Sequence, residues 1–236
     1  MTVHESETKK SETFAHKTKG YSMRSSRWSM LREFLRDPFS TGTVCSSSPS
    51  LCRMIASNES LQHADVVVEL GAGTGCISKH LLQTVKQEAT FISIEKNPHL
   101  YKTLIAQYSH SYFVLGSAEN LPDILCEKSI PKADVIISSL PWASFSSELQ
   151  DQITQAIRAS LKPNGIFITY AYVCGAILPS FATFRRQLTQ SFCNVDTSQI
   201  VWNNFPPAFL YQCRQPVPVF TEATTAKPST RSKYTC

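Results

Sequence analysis

The most specific chemistry in this chain lies in Val66-Val67-Val68-Glu69-Leu70-Gly71-Ala72-Gly73-Thr74-Gly75, an apolar strand that runs into a G-x-G-x-G turn and opens a helix. Gly71, Gly73 and Gly75 permit positive φ and let the backbone around Ala72 approach a ligand, while the helix N-terminus offers free N–H groups. Dinucleotide-binding folds use a similar turn. Glu69 separates the two cases, because a carboxylate just ahead of the turn suits a cationic amino group and is an awkward neighbour for a pyrophosphate. The next apolar run ends in Ile92-Ser93-Ile94-Glu95-Lys96-Asn97-Pro98. There Glu95 can accept both hydroxyls of a ribose, with Lys96 directly after it. A later run ends in Ser138-Ser139-Leu140-Pro141-Trp142, at the strand end where open α/β sheets bind ligands.

Together these segments resemble the nucleotide and methionine site of class I S-adenosylmethionine-dependent methyltransferases, over most of residues 65–172. The resemblance implies S-adenosyl-L-methionine as cofactor. It also implies that Gly116-Ser117-Ala118-Glu119 holds the adenine. The family often has Gly-Asp-Ala there, so Ser117 replaces the usual Asp, and either Ser117 or Glu119 meets the adenine amino group beside Ala118. The Ser138–Trp142 stretch resembles the Asn/Asp/Ser-x-Pro-aromatic loop of amino methyltransferases. In that loop a side-chain oxygen and a backbone carbonyl accept hydrogen bonds from the target amine, and the aromatic ring packs on the acceptor. This implies acceptor roles for Ser139, Leu140, Pro141 and Trp142, with Ser138 beside the cofactor, and it favours nitrogen as the methylated atom.

Two further stretches look like the bacterial-type soluble phospholipid N-methyltransferases. One is Phe34-Leu35-Arg36-Asp37-Pro38 leading through Gly42-Thr43-Val44 to Ser48-Pro49-Ser50-Leu51, and the other runs from Val201-Trp202-Asn203-Asn204 through Phe205-Pro206-Pro207 to Tyr211. The resemblance then spans about residues 27–214 and implies phosphatidylethanolamine or a related phospholipid as acceptor. Ser46 departs from it, standing where the family is expected to have Pro.

A primary ammonium must lose a proton before it can attack a methyl group, and its unperturbed pKa is near that of Lys, about 10.4. Desolvation by Trp142, Tyr170 and Tyr172 would lower that value, and aromatic faces hold methylated cations. Tyr170, Tyr172, Trp202 and Phe205 are the candidates for such faces. Arg185 and Arg186 have two readings, contact with a phosphate or a solvated helix face, of which the second is favoured. A helix over residues 24–36 would align Trp28, Leu31, Phe34 and Leu35 with arginines around them, which suits peripheral contact with a membrane. Two rival readings share the scaffold. One is a methyltransferase for a small secondary metabolite or peptide amine. The other is a ribosomal RNA adenine dimethyltransferase, whose Asn-Leu-Pro-Tyr loop resembles Ser139-Leu140-Pro141-Trp142. Charge argues against nucleic acid, since residues 37–213 carry 11 Lys/Arg against 13 Asp/Glu, and the positive charge lies in the flanks, +4 over residues 1–36 and +3 over residues 214–236.

The elements that must position these groups follow from the alternation of apolar runs with amphipathic stretches. They predict an α/β, Rossmann-like, seven-stranded and mostly parallel sheet with helices on both faces and an antiparallel C-terminal end. Strands are expected at Val66–Leu70, Phe91–Glu95, Tyr112–Leu115, Ala133–Ser138 and Ile166–Tyr172, the last after an Asn164-Gly165 turn. Phe192–Val201 and Phe209–Cys213 form the closing pair. The expected organisation is a disordered tail over 1–20, a helical lid or membrane-contact segment over 21–60, a catalytic domain over 61–214 and a disordered tail over 215–236. The eight cysteines lack metal-ligand spacing and read as reduced thiols. No run of about 18 uncharged apolar residues occurs, so the expected location is cytoplasmic, peripheral to a membrane at most.

Overall fold

The computed structural model describes residues 47–108 and 112–218. The 24–36 segment and the 1–20 tail lie outside these residues. Seven strands form one sheet in the order β3-β2-β1-β4-β5-β7-β6. Strands β1 (Val66–Leu70), β2 (Thr90–Glu95), β3 (Phe113–Leu115), β4 (Ala133–Ser138) and β5 (Leu161–Tyr172) pair in parallel. Strand β7 (Ala208–Pro216) is antiparallel to both β5 and β6 (Phe192–Thr197). The expected architecture is therefore present. The sheet order reverses between β1 and β4, and the C-terminal ends of these two strands carry the Gly-rich turn and the Leu140 loop.

Helices α1 (Pro49–Ala56), α2 (Glu59–His63), α3 (Cys76–Thr84), α4 (Pro98–Gln107), α5 (Leu121–Glu127), α6 (Ser147–Ser160) and α7 (Pro179–Ser191) cover the sheet. Local signals start several of them. Ser48, Asn97 and Ser146 accept hydrogen bonds from first-turn N–H groups, and Pro49, Pro98 and Pro179 stand at the first helical turn. One face of the sheet buries Val67, Val135, Ile137 and Ile168 against Leu51 and Ile55 of α1 and Ile77 and Leu81 of α3. The other packs Val68, Ile136 and Phe167 against Ile153 and Ile157 of α6 and Phe184 and Leu188 of α7. The helices of residues 49–63 thus belong to the core, where the sequence suggested a boundary at 60 and a lid before it.

Two strands differ from expectation. Strand β5 starts at Leu161, before the expected Ile166, and bulges over Asn164-Gly165, where the pairing with β4 steps from Ala133–Leu161 to Val135–Ile166. A Cβ on Gly165 would lie 2.7 Å from Leu161 Cγ and 3.0 Å from the Ala133 carbonyl oxygen, so glycine is needed where the bulge folds back on Leu161. Strand β6 ends at Thr197, and Val201 makes only an isolated bridge to Ala208. Most of the expected tail over 215–236 lies outside the described residues. Gln215 and Pro216 lie in β7, and the Val217 N–H donates to the Ser191 carbonyl. Cys52, Cys76, Cys174, Cys193 and Cys213 are free thiols, while Cys126 is disulfide-bonded, against the expectation of thiols throughout. Among the described residues no helix is long and apolar enough to cross a membrane.

Candidate active site

The loops leaving β1, β3 and β4 are tied to the ends of neighbouring strands by backbone bonds. The Gly71 N–H donates to Ile94 O (2.8 Å), Ser139 N–H to Leu70 O (2.9 Å) and Gly116 N–H to Glu95 O (3.0 Å). They surround a cavity of about 450 Å3, within the usual range for small-molecule sites. Its polar end is lined by Gly71, Ala72, Gly73, Glu95, Lys96, Gly116, Ser117, Ala118 and Glu119. Its other end is apolar, built from the Leu140–Phe145 loop, Leu149 and Ile153 of α6, Phe181 and Phe184 of α7, and the strand residues Tyr170 and Tyr172.

At the polar end, Gly71, Gly73 and Gly75 all have φ between +57° and +82°. A Cβ on Gly73 would meet no atom within 4 Å, so it would project into open space beside a ligand. On Gly71 it would lie 3.0 Å from Leu140 Cδ2, which shows how closely the two loops approach. Gly75 heads α3 without lining the cavity. The Glu95 carboxylate is 5% exposed and fixed from behind, with Oε2 accepting from the Gly73 N–H (2.8 Å) and Oε1 from the Asn97 N–H (2.7 Å). Each oxygen keeps a lone pair for another donor, as a ribose diol requires. Ser117 donates its hydroxyl proton to Glu119 Oε2 (2.6 Å), which leaves its oxygen an acceptor suited to an exocyclic amine. The Lys96 ammonium lies 3.9 Å from the other Glu119 oxygen. The residues present fit a nucleoside joined to an amino acid.

Glu69 is placed differently from the sequence reading. It does not line the cavity; it is fully buried on the α3 side of the sheet, where alternation along β1 puts it with Val67. Its Oε2 accepts from Ser78 (2.6 Å) and Ser93 (2.7 Å), while Oε1 has no partner. Burial raises its pKa to about 7, and the nearby Glu95 charge adds to the rise. Ser138 is likewise withdrawn. Only 1% exposed and outside the cavity wall, it accepts from Trp142 Nε1 (3.1 Å) and the Leu140 N–H (3.3 Å).

Ser139 and Pro141 line the cavity, and the Ser139 hydroxyl is shielded from solvent without a hydrogen-bond partner. Trp142 is both wall and core. Its ring is 3% exposed, stacks on Phe184 at 4.3 Å, and donates from Nε1 to Thr169 Oγ1 (3.0 Å) as well as to Ser138. The turn it opens is pinned from two helices, because Gln150 Nε2 donates to the Trp142 carbonyl (2.7 Å) and Ser180 Oγ to the Ala143 carbonyl (2.7 Å). Tyr170 and Tyr172 stand on one strand face with ring centroids 5.7 Å apart, and Ser47 Oγ lies 3.4 Å from the Tyr170 hydroxyl. Trp202 and Phe205, the other two aromatic candidates, stand outside the cavity on the β6–β7 loop, 71% and 56% exposed. Sequence reasoning missed Gln150, Thr169, Ser180 and the apolar walls from α6 and α7, whose patterns are those of ordinary amphipathic helices. Among the described residues no group of three or more His, Cys, Asp or Glu could hold a metal ion.

The ornithine lipid N-methyltransferase of Singulisphaera acidiphila is 30% identical over 187 residues, covering 78% of this chain and 93% of that protein. The chain belongs to the class I S-adenosylmethionine-dependent methyltransferases, and its cofactor is S-adenosyl-L-methionine. Residues 32–111 match the family described as protein-L-isoaspartate(D-aspartate) O-methyltransferase. Among solved structures, the Bacillus cereus O-methyltransferase in complex with SAH superposes with a TM-score of 0.59 at 11% identity, covering 80% of this chain and 90% of that one. The O-methyltransferase TomG of Streptomyces achromogenes, in complex with SAM, gives 0.60 at 12% identity, covering 81% and 88%.

Proposed function

We propose that this methyltransferase methylates the primary amine of a membrane lipid headgroup. The observation that carries the reading is the cavity wall formed by Ser139, Leu140, Pro141, Trp142, Tyr170 and Tyr172, an aromatic lining beside a buried serine hydroxyl that has no partner and that a change of rotamer would bring to an incoming amine. The ornithine lipid N-methyltransferase relative, matched over nearly its whole length, supports a lipid amine over other acceptors.

When bound, the cofactor supplies a methyl group on a sulfonium centre, which an amine lone pair can attack in line. The chain's own part is to orient and desolvate. Glu95 holds the ribose hydroxyls, the Ser117 oxygen accepts from the adenine amino group, and the turn at Gly71–Gly75 lies along the methionine portion. Glu69 supports that turn from beneath by holding Ser78 of α3 to Ser93 of β2. Ser139 Oγ and the Leu140 carbonyl accept hydrogen bonds from the incoming amine and direct its lone pair at the methyl. The aromatic walls exclude water and so favour the neutral amine. After the first transfer, Tyr170 and Tyr172 face a bulkier cation, for which aromatic faces give roughly 0.5–2 kcal/mol of attraction.

The test is transfer of labelled methyl from S-adenosylmethionine to total extracted lipid, with products resolved by headgroup. Label on phosphatidylethanolamine or an amino-acid lipid supports the reading and identifies the headgroup. Unlabelled lipid, with cofactor binding intact, would overturn it in favour of a soluble amine.

A further inference from the structure

Large apolar side chains exposed among the described residues are Leu115, Ile177, Ile200, Trp202 and Phe205. All five stand at one end of the molecule. Leu115 is the last residue of β3, and Ile177 ends the short turn that follows β5. Because β7 runs antiparallel and starts at Ala208 opposite Tyr172, the loop carrying Ile200, Trp202 and Phe205 lies at the same end. The Val173 N–H donates to the Pro207 carbonyl (2.8 Å), which joins that loop to the turn bearing Ile177. Tyr172 and Gly175 of this region line the cavity, so the cavity reaches the end of the molecule that carries these apolar groups. The opposite end of the sheet carries the ion pairs Asp65 with Lys86 (2.7 Å) and Asp134 with Lys162 (2.8 Å), while at the cavity end Lys96 stands 3.9 Å from Glu119.

Beside these apolar groups runs a shallow groove lined by Ala176, Phe181, Arg185, Arg186, Thr189 and Thr197, among others. It shares Phe181 with the cavity. Arg185 and Arg186 are exposed and form no ion pair with any described residue. A Trp and a Phe at the tip of one loop with unneutralised arginines alongside are the groups that settle at an anionic membrane surface. The rings sit at headgroup depth and the guanidinium groups meet the anionic lipids.

We propose that this end is a membrane-docking face, with Trp202, Phe205 and Ile177 entering the interfacial layer of an anionic bilayer and Arg185 and Arg186 contacting acidic headgroups. The cavity mouth then faces the bilayer, and an acceptor reaches it without leaving the membrane. The inference builds on the lipid-acceptor reading, but its test needs no methyl transfer.

The full chain is sedimented with vesicles of phosphatidylcholine containing phosphatidylglycerol, neither of which has a primary amine. Expected is binding that weakens with salt, falls at least tenfold in the Trp202→Ser/Phe205→Ser variant, and falls about fivefold for each of Arg185→Gln and Arg186→Gln. Thermal midpoint and cofactor affinity should stay those of the parent. Acyl-brominated lipid should quench tryptophan emission in the parent and clearly less in Trp202→Phe. Unchanged vesicle binding in the double variant, or a solution dimer dispersed by the same substitutions, would overturn the proposal. Methylation of micellar lipid with no vesicle binding would overturn docking alone. Vesicle binding with no lipid ever methylated would overturn the acceptor reading alone.

Discussion

Replacing Ser139 by Ala should separate stability from catalysis. In the free protein the Ser139 hydroxyl has no partner and is shielded from water, so its removal breaks no hydrogen bond. A buried polar group left unsatisfied costs about 1–3 kcal/mol, and deleting it should leave unfolding free energy unchanged or raise it by up to that amount. In the complex, the same hydroxyl is proposed to accept from the attacking amine. A hydrogen bond to a charged or charge-developing group contributes about 1.5–3 kcal/mol, which at 1.36 kcal/mol per decade is about 10- to 150-fold in kcat/KM. Urea unfolding and steady-state transfer to amine lipid would read the two quantities, with cofactor affinity measured by calorimetry as a control. Transfer at the parental rate would refute the assignment of Ser139. A drop in stability together with activity would mean the hydroxyl has a structural partner.

Other substitutions probe the rest of the site. Glu95→Ala should weaken cofactor binding by at least tenfold, and an unchanged affinity would remove Glu95 from the ribose. Trp142→Phe keeps the stack on Phe184 but takes a donor from Ser138 and Thr169, so it should lower unfolding free energy by about 1–3 kcal/mol with cofactor affinity retained. Glu69 gives a pH signature. Its folded pKa of about 7 lies above the ordinary 4.5, so the folded state binds the extra proton, and stability should fall as pH rises from about 4.5 through 7. The loss is about 3 kcal/mol at most, and Glu69→Gln should flatten this part of the stability profile; equal slopes in parent and variant would show that Glu69 does not titrate there.

The parts of this structure that were legible in the sequence are those whose causes are local. Val66–Leu70 and Ala133–Ser138 are strands with the expected bounds, because each is a short apolar run between turn signals. Glu95 and Tyr170 with Tyr172 stand where strand-end position and period-two alternation place them. What escaped depends on partners distant in sequence. Glu69 and Ser138 read as ligand contacts, but Ser78, Ser93 and Trp142 draw their side chains inward. Asn164-Gly165 has the composition of a turn and sits in a bulge of β5, but that the strand already starts at Leu161, with Leu161 and Ala133 packed against Gly165, depends on the pairing with β4. Trp202 and Phe205 have the chemistry of a cation-binding cage, yet the β6–β7 loop carries them to the surface.

The two ends of the cavity rest on different supports. Its polar end is framed by loops after β1, β3 and β4 whose main chains are bonded to the ends of neighbouring strands, while much of its apolar end consists of side chains from α6 and α7. Leu149, Ile153, Phe181 and Phe184 can change size without altering any of those main-chain bonds. Such a molecule resembles a tool with a fixed handle and an exchangeable head. Drift in two helix faces would redirect which amine is admitted while the grip on the methyl donor stays the same, so descendants of one ancestor can come to serve different acceptors without passing through a form that no longer binds the donor.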